Sequence, residues 1–331
     1  MGPIPTWCWH DFRAKNAWHV LSETLASECS YTIMNSDYLD LTVRVGCNLV
    51  YETNIFTPIS FLLRPRRNKR CLVLQEKCHY GPYQMPHEFL DSHGNLTCRT
   101  MLVPGRNVID MDAYVAVSSL PDHREETYNS LPVNELPQDF LRYTLPSRYC
   151  DSDKLSDFAW QQFGFINNGM QRVHAICDWV HQNIEYRTGS GRSDISASDV
   201  IQRGYGVCRD FAHVVVALCR TFNMPARYVT GHLPDIACWD VGSPMDFHAY
   251  GEVYLGRWFT IDARFNVPRV GRIKLGHGMD AVDGAFSTIF GSASLVHFMV
   301  WAYQVNPQGM SLGDPIDLSK RLDGTPQLRF A

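Results

Sequence analysis

Three leucine–proline pairs, Leu131-Pro132, Leu136-Pro137 and Leu145-Pro146, separate two stretches whose apolar residues repeat with different periods. Ahead of them the apolar residues alternate, or run in short blocks between turn residues, as strands do. Behind them they recur at helical spacing. A chain that changes period across a proline-rich linker is neither a pure sandwich nor a helical bundle. The expected class is therefore α+β, with an antiparallel β domain ahead of a mixed one.

In the first stretch LTVRVGCNLVYET, SFLLRP, CLVLQEKCHY, CRTMLVP and YVAVSS read as strands, with Ser92-His93-Gly94-Asn95 as a turn between two of them. They place an antiparallel β domain over residues 39–125. Residues 1–38 show weak periodicity and read as an extension, with Met34 a candidate start of the organised sequence. The opening MGPIPT fits a myristoylation pattern only formally, because Pro3 directly follows the glycine. After the linker, Asp151-Ser152-Asp153 is expected to cap a helix carrying Leu155, Phe158, Ala159 and Phe163. A second helix sets Val173, Cys177, Val180 and Ile184 on one stripe, and Ser196-Ala197-Ser198-Asp199 is a capping box for a short third helix ending at Gly204. The mixed domain spans 126–305 and a tail 306–331.

The stretch GYGVCRDFAHVVVALCR begins a further helix at or beside Cys208, since Phe211, Val215, Leu218 and Phe222 keep helical spacing until Asn223-Met224-Pro225 stops it. Free backbone N–H groups and the helix dipole favour a thiolate at such a position, so Cys208 is expected to ionise more readily than the other ten cysteines. Gly204 and Gly206 let the backbone turn tightly just before it. Cys219, mid-helix among valine and leucine, reads as inert packing. His213, five positions on, lies about 140° round the helix from the thiol and reads as a structural hydrogen-bonder. Asp210 suits the helix start as a structural charge able to pair with an arginine, and Arg209 reads as structural too.

A cysteine nucleophile needs a base and a group to orient it. DFHAYGEVYLGRWFTIDARF, residues 246–265, reads as a hairpin that offers both. A two-residue turn at Gly256-Arg257 would put Asp262 on the face opposite His248, whereas a three-residue loop, Leu255-Gly256-Arg257, pairs Tyr250 with Asp262 and leaves His248 one diagonal step away. Joint action of His248 and Asp262 therefore predicts the longer loop, with Gly256 free to turn left-handed. Cys208, His248 and Asp262 are the candidate catalytic residues. Trp258, Tyr205 and Tyr250 read more readily as core than as cleft lining.

Composition narrows the partners. A formal net charge of −4, from 30 basic and 34 acidic residues, carries no nucleic-acid footprint. The basic run Arg64–Arg70 reads as a solvated hairpin loop. Eleven cysteines without a CxxC pair argue against a disulfide framework or zinc ribbon and for reduced thiols in a cytoplasm. Cys71, Cys78, His79, His87, His93 and Cys98 match no ligand spacing, so no metal or other cofactor is expected. No stretch is long and apolar enough to span a membrane, and no secretory leader is visible. The expected partner is a peptide or other amide-containing substrate, with oligomeric state open.

GYGVCRDFAHVVVALCRTFNMPARYVTG followed by DFHAYGEVYLGRWFTIDARFN resembles the transglutaminase-like superfamily, and within it the bacterial branch described as transglutaminase-like cysteine proteases. The likeness covers roughly residues 41–305, including LPSRYCDSDKL upstream and PRVGRIKLGHGMDAVDGAFSTIFG downstream. It implies a papain-like α+β core, with Cys208 as nucleophile, His248 as base and Asp262 as orienting carboxylate, preceded by the N-terminal β domain. Asp262 is followed by Ala263-Arg264 where many relatives carry proline and threonine. The resemblance implies hydrolysis of an amide or peptide bond through a thioester. Transglutaminase-type acyl transfer to an amine, or a non-catalytic binding module on the same fold, are the alternatives; no acidic cluster resembles a calcium loop.

Overall fold

The computed structural model describes residues 39–82, 86–124, 127–238, 245–308, 311–318 and 321–322. The expected N-terminal extension over 1–38, including the Met34 start and the opening glycine, lies outside the described residues, as do residues 323–331 of the tail. Leu39 opens the compact unit that carries the fold.

Alternation dictates the first part of the chain. In β1 (Leu41–Thr53), Val43, Val45, Cys47, Leu49 and Tyr51 all turn to one buried face. β2 (Thr57–Phe61), β3 (Cys71–Tyr80), β4 (His87–Leu90), β5 (Leu96–Leu102) and β6 (Gly105–Val117) follow. β4 was invisible to pattern reading because all four of its residues are exposed. Gly94 turns left-handed at φ +68° between β4 and β5, as the Ser92–Asn95 turn requires. The basic run at 64–70 is less solvated than expected: Arg64 pairs with Glu76 (2.5 Å) and Glu88 (2.6 Å), and Arg67 with Glu76 (2.6 Å).

Past the prolines the helices appear: α1 (Ser156–Phe163), α2 (Gly169–Asn183), the short β7 (Glu185–Tyr186), α3 (Ala197–Arg203), β8 (Tyr205–Gly206) and α4 (Cys208–Thr221). The expected capping box forms, with Ser196 N donating to the Asp199 carboxylate at 2.8 Å. Asp151 does not cap the helix after it. A 3-10 turn over Ser152–Leu155 intervenes, and the Asp151 carboxylate accepts instead from Ser196 Oγ (2.8 Å) and Ser198 Oγ (2.5 Å), tying α1 to the start of α3. α4 is the axis of this half. Every residue from Asp210 to Arg220 is buried, because strands cover one side of the helix and the other helices cover the rest. Arg220, 1% exposed, donates to the carbonyls of Ala226 (2.9 Å), Leu145 (3.1 Å) and Met279 (2.6 Å), which fixes the linker's end against α4.

The remaining strands are β9 (Ala226–His232), β10 (His248–Tyr254), β11 (Trp258–Ile261), β12 (Ile273–Gly278), β13 (Ser287–Ile289) and β14 (Ser294–Gln304). β11-β10-β9-β12 form the antiparallel sheet beside α4. β13 and β14 do not stay with it. β14 pairs with β1 and β13 with β2, giving sheets β14-β1-β6-β3 and β13-β2-β5-β4 that share one apolar core. Strand pairing thus crosses the 126–305 limit drawn from the sequence, and the β layer is built from both ends of the described chain. The whole is a mixed α+β fold with a β-rich N-terminal region.

Candidate active site

The start of α4 is pinned by its own first turn. Val207 is extended (φ −106°, ψ 175°), and its N–H donates to the Asp210 carboxylate at 3.0 Å. Asp210 is buried and also pairs with Arg203 (2.8 Å) and Arg209 (3.1 Å), the structural role expected of it and of Arg209. A Cβ on Gly206 would lie 2.7 Å from the Asp210 side chain, so only glycine lets the chain pass this carboxylate. Cys208 is consequently the first helical residue, where backbone N–H groups lack intrahelical partners.

Its sulfur packs against Ala212, Tyr228 and Ala249 and lies 4.0 Å from the Phe247 carbonyl oxygen. The Ala249 N–H also reaches it, so the peptide groups on either side of His248 both face the thiol. Enclosure works against the ionisation that the helix start favours. Burial pushes the Cys208 thiol up to about 11, and the carboxylates of Asp246 and Asp262 push the same way; the Ala249 and Arg209 amides offset only part. It still lies below Cys71, Cys98, Cys150 and Cys219, each near 12, and level with Cys78.

The hairpin adopts the longer loop. Tyr254 pairs with Trp258 and Gly251 with Ile261, leaving Leu255-Gly256-Arg257 as a three-residue connection with Gly256 at φ +87°. Asp262 follows in register opposite Tyr250, one diagonal from His248. His248 Nε2–H donates to Asp262 Oδ2 at 2.7 Å, and both side chains are nearly enclosed. The ring of His248 sits between Tyr250, 6.1 Å away and near parallel, and Phe265 at 5.4 Å. With Nε2 committed to the carboxylate, Nδ1 is the nitrogen left for a thiol.

Two residues of this site were not singled out from the sequence. Arg272 Nη2 lies 2.8 Å from the same Asp262 oxygen, and Arg272 Nε donates to Asp122 at 2.7 Å. Asp262 Oδ1 accepts from the Arg264 N–H at 3.2 Å. Burial alone would raise Asp262, but His248 and Arg272 hold its carboxyl well below the usual range. Only an arginine one position ahead of an alternating run hinted at Arg272; its partner is about 150 residues away in sequence.

His213 is buried, accepts from the Ala281 N–H at 3.2 Å, stacks on Tyr149 and packs against Tyr228. Cys219 is wholly buried. Trp258 packs with Phe140, Tyr143 and Tyr254, and Tyr205 lies between Arg187 and Arg203. Among the described residues no group of three or more His, Cys, Asp or Glu converges as a metal site would, and no helix is long and apolar enough to cross a membrane.

A helix that opens on a thiol, set against an antiparallel sheet that presents a buried imidazole–carboxylate pair, is the architecture of a cysteine enzyme. A family model for the transglutaminase-like superfamily matches residues 157–263, a span that contains Cys208, His248 and Asp262. A solved structure from Cytophaga hutchinsonii, described as a candidate cysteine protease, is 33% identical, covers 80% of this chain and 91% of its own, and superposes with a TM-score of 0.74. An uncharacterised protein of Mycobacterium leprae is 24% identical over 229 residues, 67% of this chain and 82% of that one. The chain belongs to the transglutaminase-like superfamily.

Proposed function

We propose that the protein hydrolyses amide or peptide bonds through a thioester acyl-enzyme, with Cys208 as nucleophile, His248 as base and then acid, and Asp262 orienting the imidazole. One observation carries the reading: His248 is fixed by Asp262 at 2.7 Å while the peptide groups flanking it line the sulfur of Cys208. A thiol held near 11 is mostly protonated at neutral pH. Attack on the carbonyl therefore proceeds as the proton passes to His248, rather than from a standing thiolate. The tetrahedral intermediate collapses as imidazolium protonates the leaving amine, and water, deprotonated by the same ring, resolves the thioester. A reducing cytoplasm suits this chemistry, and the described cysteines are free thiols.

The test is turnover of a peptide and amide library by the full chain and by Cys208→Ala, with a labelled primary amine present. Release of acid, abolished in the variant, is the expected result. Incorporation of the amine in place of hydrolysis assigns transglutaminase-type transfer. Equal turnover by the full chain and by Cys208→Ala contradicts both, and no turnover by either leaves the binding-module alternative.

A further inference from the structure

Asp262 does not serve His248 alone. The same oxygen that accepts from the imidazole at 2.7 Å also faces Arg272 Nη2 at 2.8 Å, so one anionic atom is shared between two cations whenever the ring is protonated. Arg272 is in turn divided. Its Nε donates to Asp122 Oδ2 at 2.7 Å, and the guanidinium lies over the Tyr250 ring at 4.8 Å. Asp122 sits in the segment leaving β6 and is itself clamped. Its N–H donates to the Arg269 carbonyl at 3.0 Å, and its carboxylate accepts from the Arg269 N–H at 3.2 Å. The result is a four-member row, Asp122–Arg272–Asp262–His248, that enters the candidate site from the β-rich region.

Resting on the triad reading, we propose that Arg272 is a positioning residue that sets the proton affinity of His248 through Asp262, and that Asp122 sets how much of the Arg272 charge reaches Asp262. The physical reason is simple charge counting. A carboxylate stabilises an imidazolium by its negative charge, and a guanidinium on the same oxygen cancels part of it. A second carboxylate on that guanidinium restores some of what was cancelled. Besides these, the titratable and charged groups facing the row are Asp246 just before β10, Cys208 on α4, Tyr250 on β10, Cys177 and His174 on α2, and His123 and Arg124 beside Asp122. Of all these groups Arg272 supplies the cation that touches the carboxylate.

The row makes two substitutions shift the same ionisation in opposite directions, which packing alone would not do. The measurement is the pH dependence of iodoacetamide alkylation at Cys208, read site by site by mass spectrometry on the full chain. Cysteine and imidazole titrate as a coupled pair, so each limb belongs to both groups. Arg272→Gln should move both limbs up by about half to one pH unit, and Asp122→Asn should move them down by a similar amount. Arg272→Lys should return the limbs toward wild type by keeping the charge. Should Arg272→Gln fail to fold, the downward shift in Asp122→Asn still decides. Limbs unmoved, or moved the same way by both changes, overturn the proposal while leaving the triad reading intact. A wild-type Cys208 with no pH limb distinct from that of Cys238 overturns both.

Discussion

The residues of the site are held by charge in a place where charge is costly, and this has a pH signature. Asp262 lies between His248 and Arg272; on the same strand face Glu252 lies between Arg227 (2.6 Å) and Lys274 (2.5 Å). Burial opposes ionisation of Glu252, yet Lys274 and Arg227 bring it down to about 2, and Asp262 is likewise depressed. A carboxylate whose pKa is lower folded than unfolded contributes stability that is complete above its unfolded value, about 4 to 4.5, and is lost as pH falls through the folded value. The protein should therefore lose stability steadily between about pH 4.5 and pH 2. Glu252→Gln should flatten that slope while lowering stability at pH 7, since it leaves Lys274 and Arg227 without their partner. Urea midpoints at several pH values check this; a slope unchanged by Glu252→Gln would show that the ion cluster does not govern acid unfolding.

At the scale of elements, the hairpin between β10 and β11 decides whether the histidine and the acid meet. Side chains alternate, so one residue fewer in the Leu255-Gly256-Arg257 loop turns Asp262 to the opposite face. Deleting Arg257 is expected to abolish the pH-dependent reactivity of Cys208 while far-UV circular dichroism stays near wild type. Retained reactivity would mean that the register is not what brings the pair together. This element was legible in advance, because two loop lengths give two opposite faces and only one is compatible with His248 and Asp262 acting jointly. The start of α4 was legible as well, since glycines before Cys208 and proline after Met224 bracket a helical stripe. Other features were not. Asp151 looks like a cap in sequence, but its carboxylate finds stronger company at Ser196 and Ser198. β4 has no buried face to betray it. The thiol's high pKa depends on enclosure by Ala212, Tyr228 and Ala249, and the Arg272 bridge on a partner in the segment that leaves β6; neither leaves a local pattern in the chain.

For the molecule as a whole, the pairing of β14 with β1 means that the β-rich region is finished only when the far end of the chain arrives. Trp301 on β14 is 6% exposed and packs with Tyr114, Tyr303 and Val305, while β1 lies between β14 and β6. Truncation after residue 293 should leave an unpaired hydrophobic edge on β1, and the shortened chain should aggregate or lose its cooperative urea transition. A monomeric, cooperatively folding truncation would show that the two ends are independent. The same wholeness bears on catalysis, because Asp122, at the exit of the β-rich region, touches the arginine that touches the acid of the candidate triad. The most direct measurement of the central claim is acylation by an activated ester such as p-nitrophenyl acetate, followed by peptide mapping at neutral pH. The account predicts an acyl group concentrated on Cys208 and nearly absent there in His248→Ala. Acylation spread over the cysteines according to exposure, or unchanged at Cys208 when His248 is removed, would contradict it.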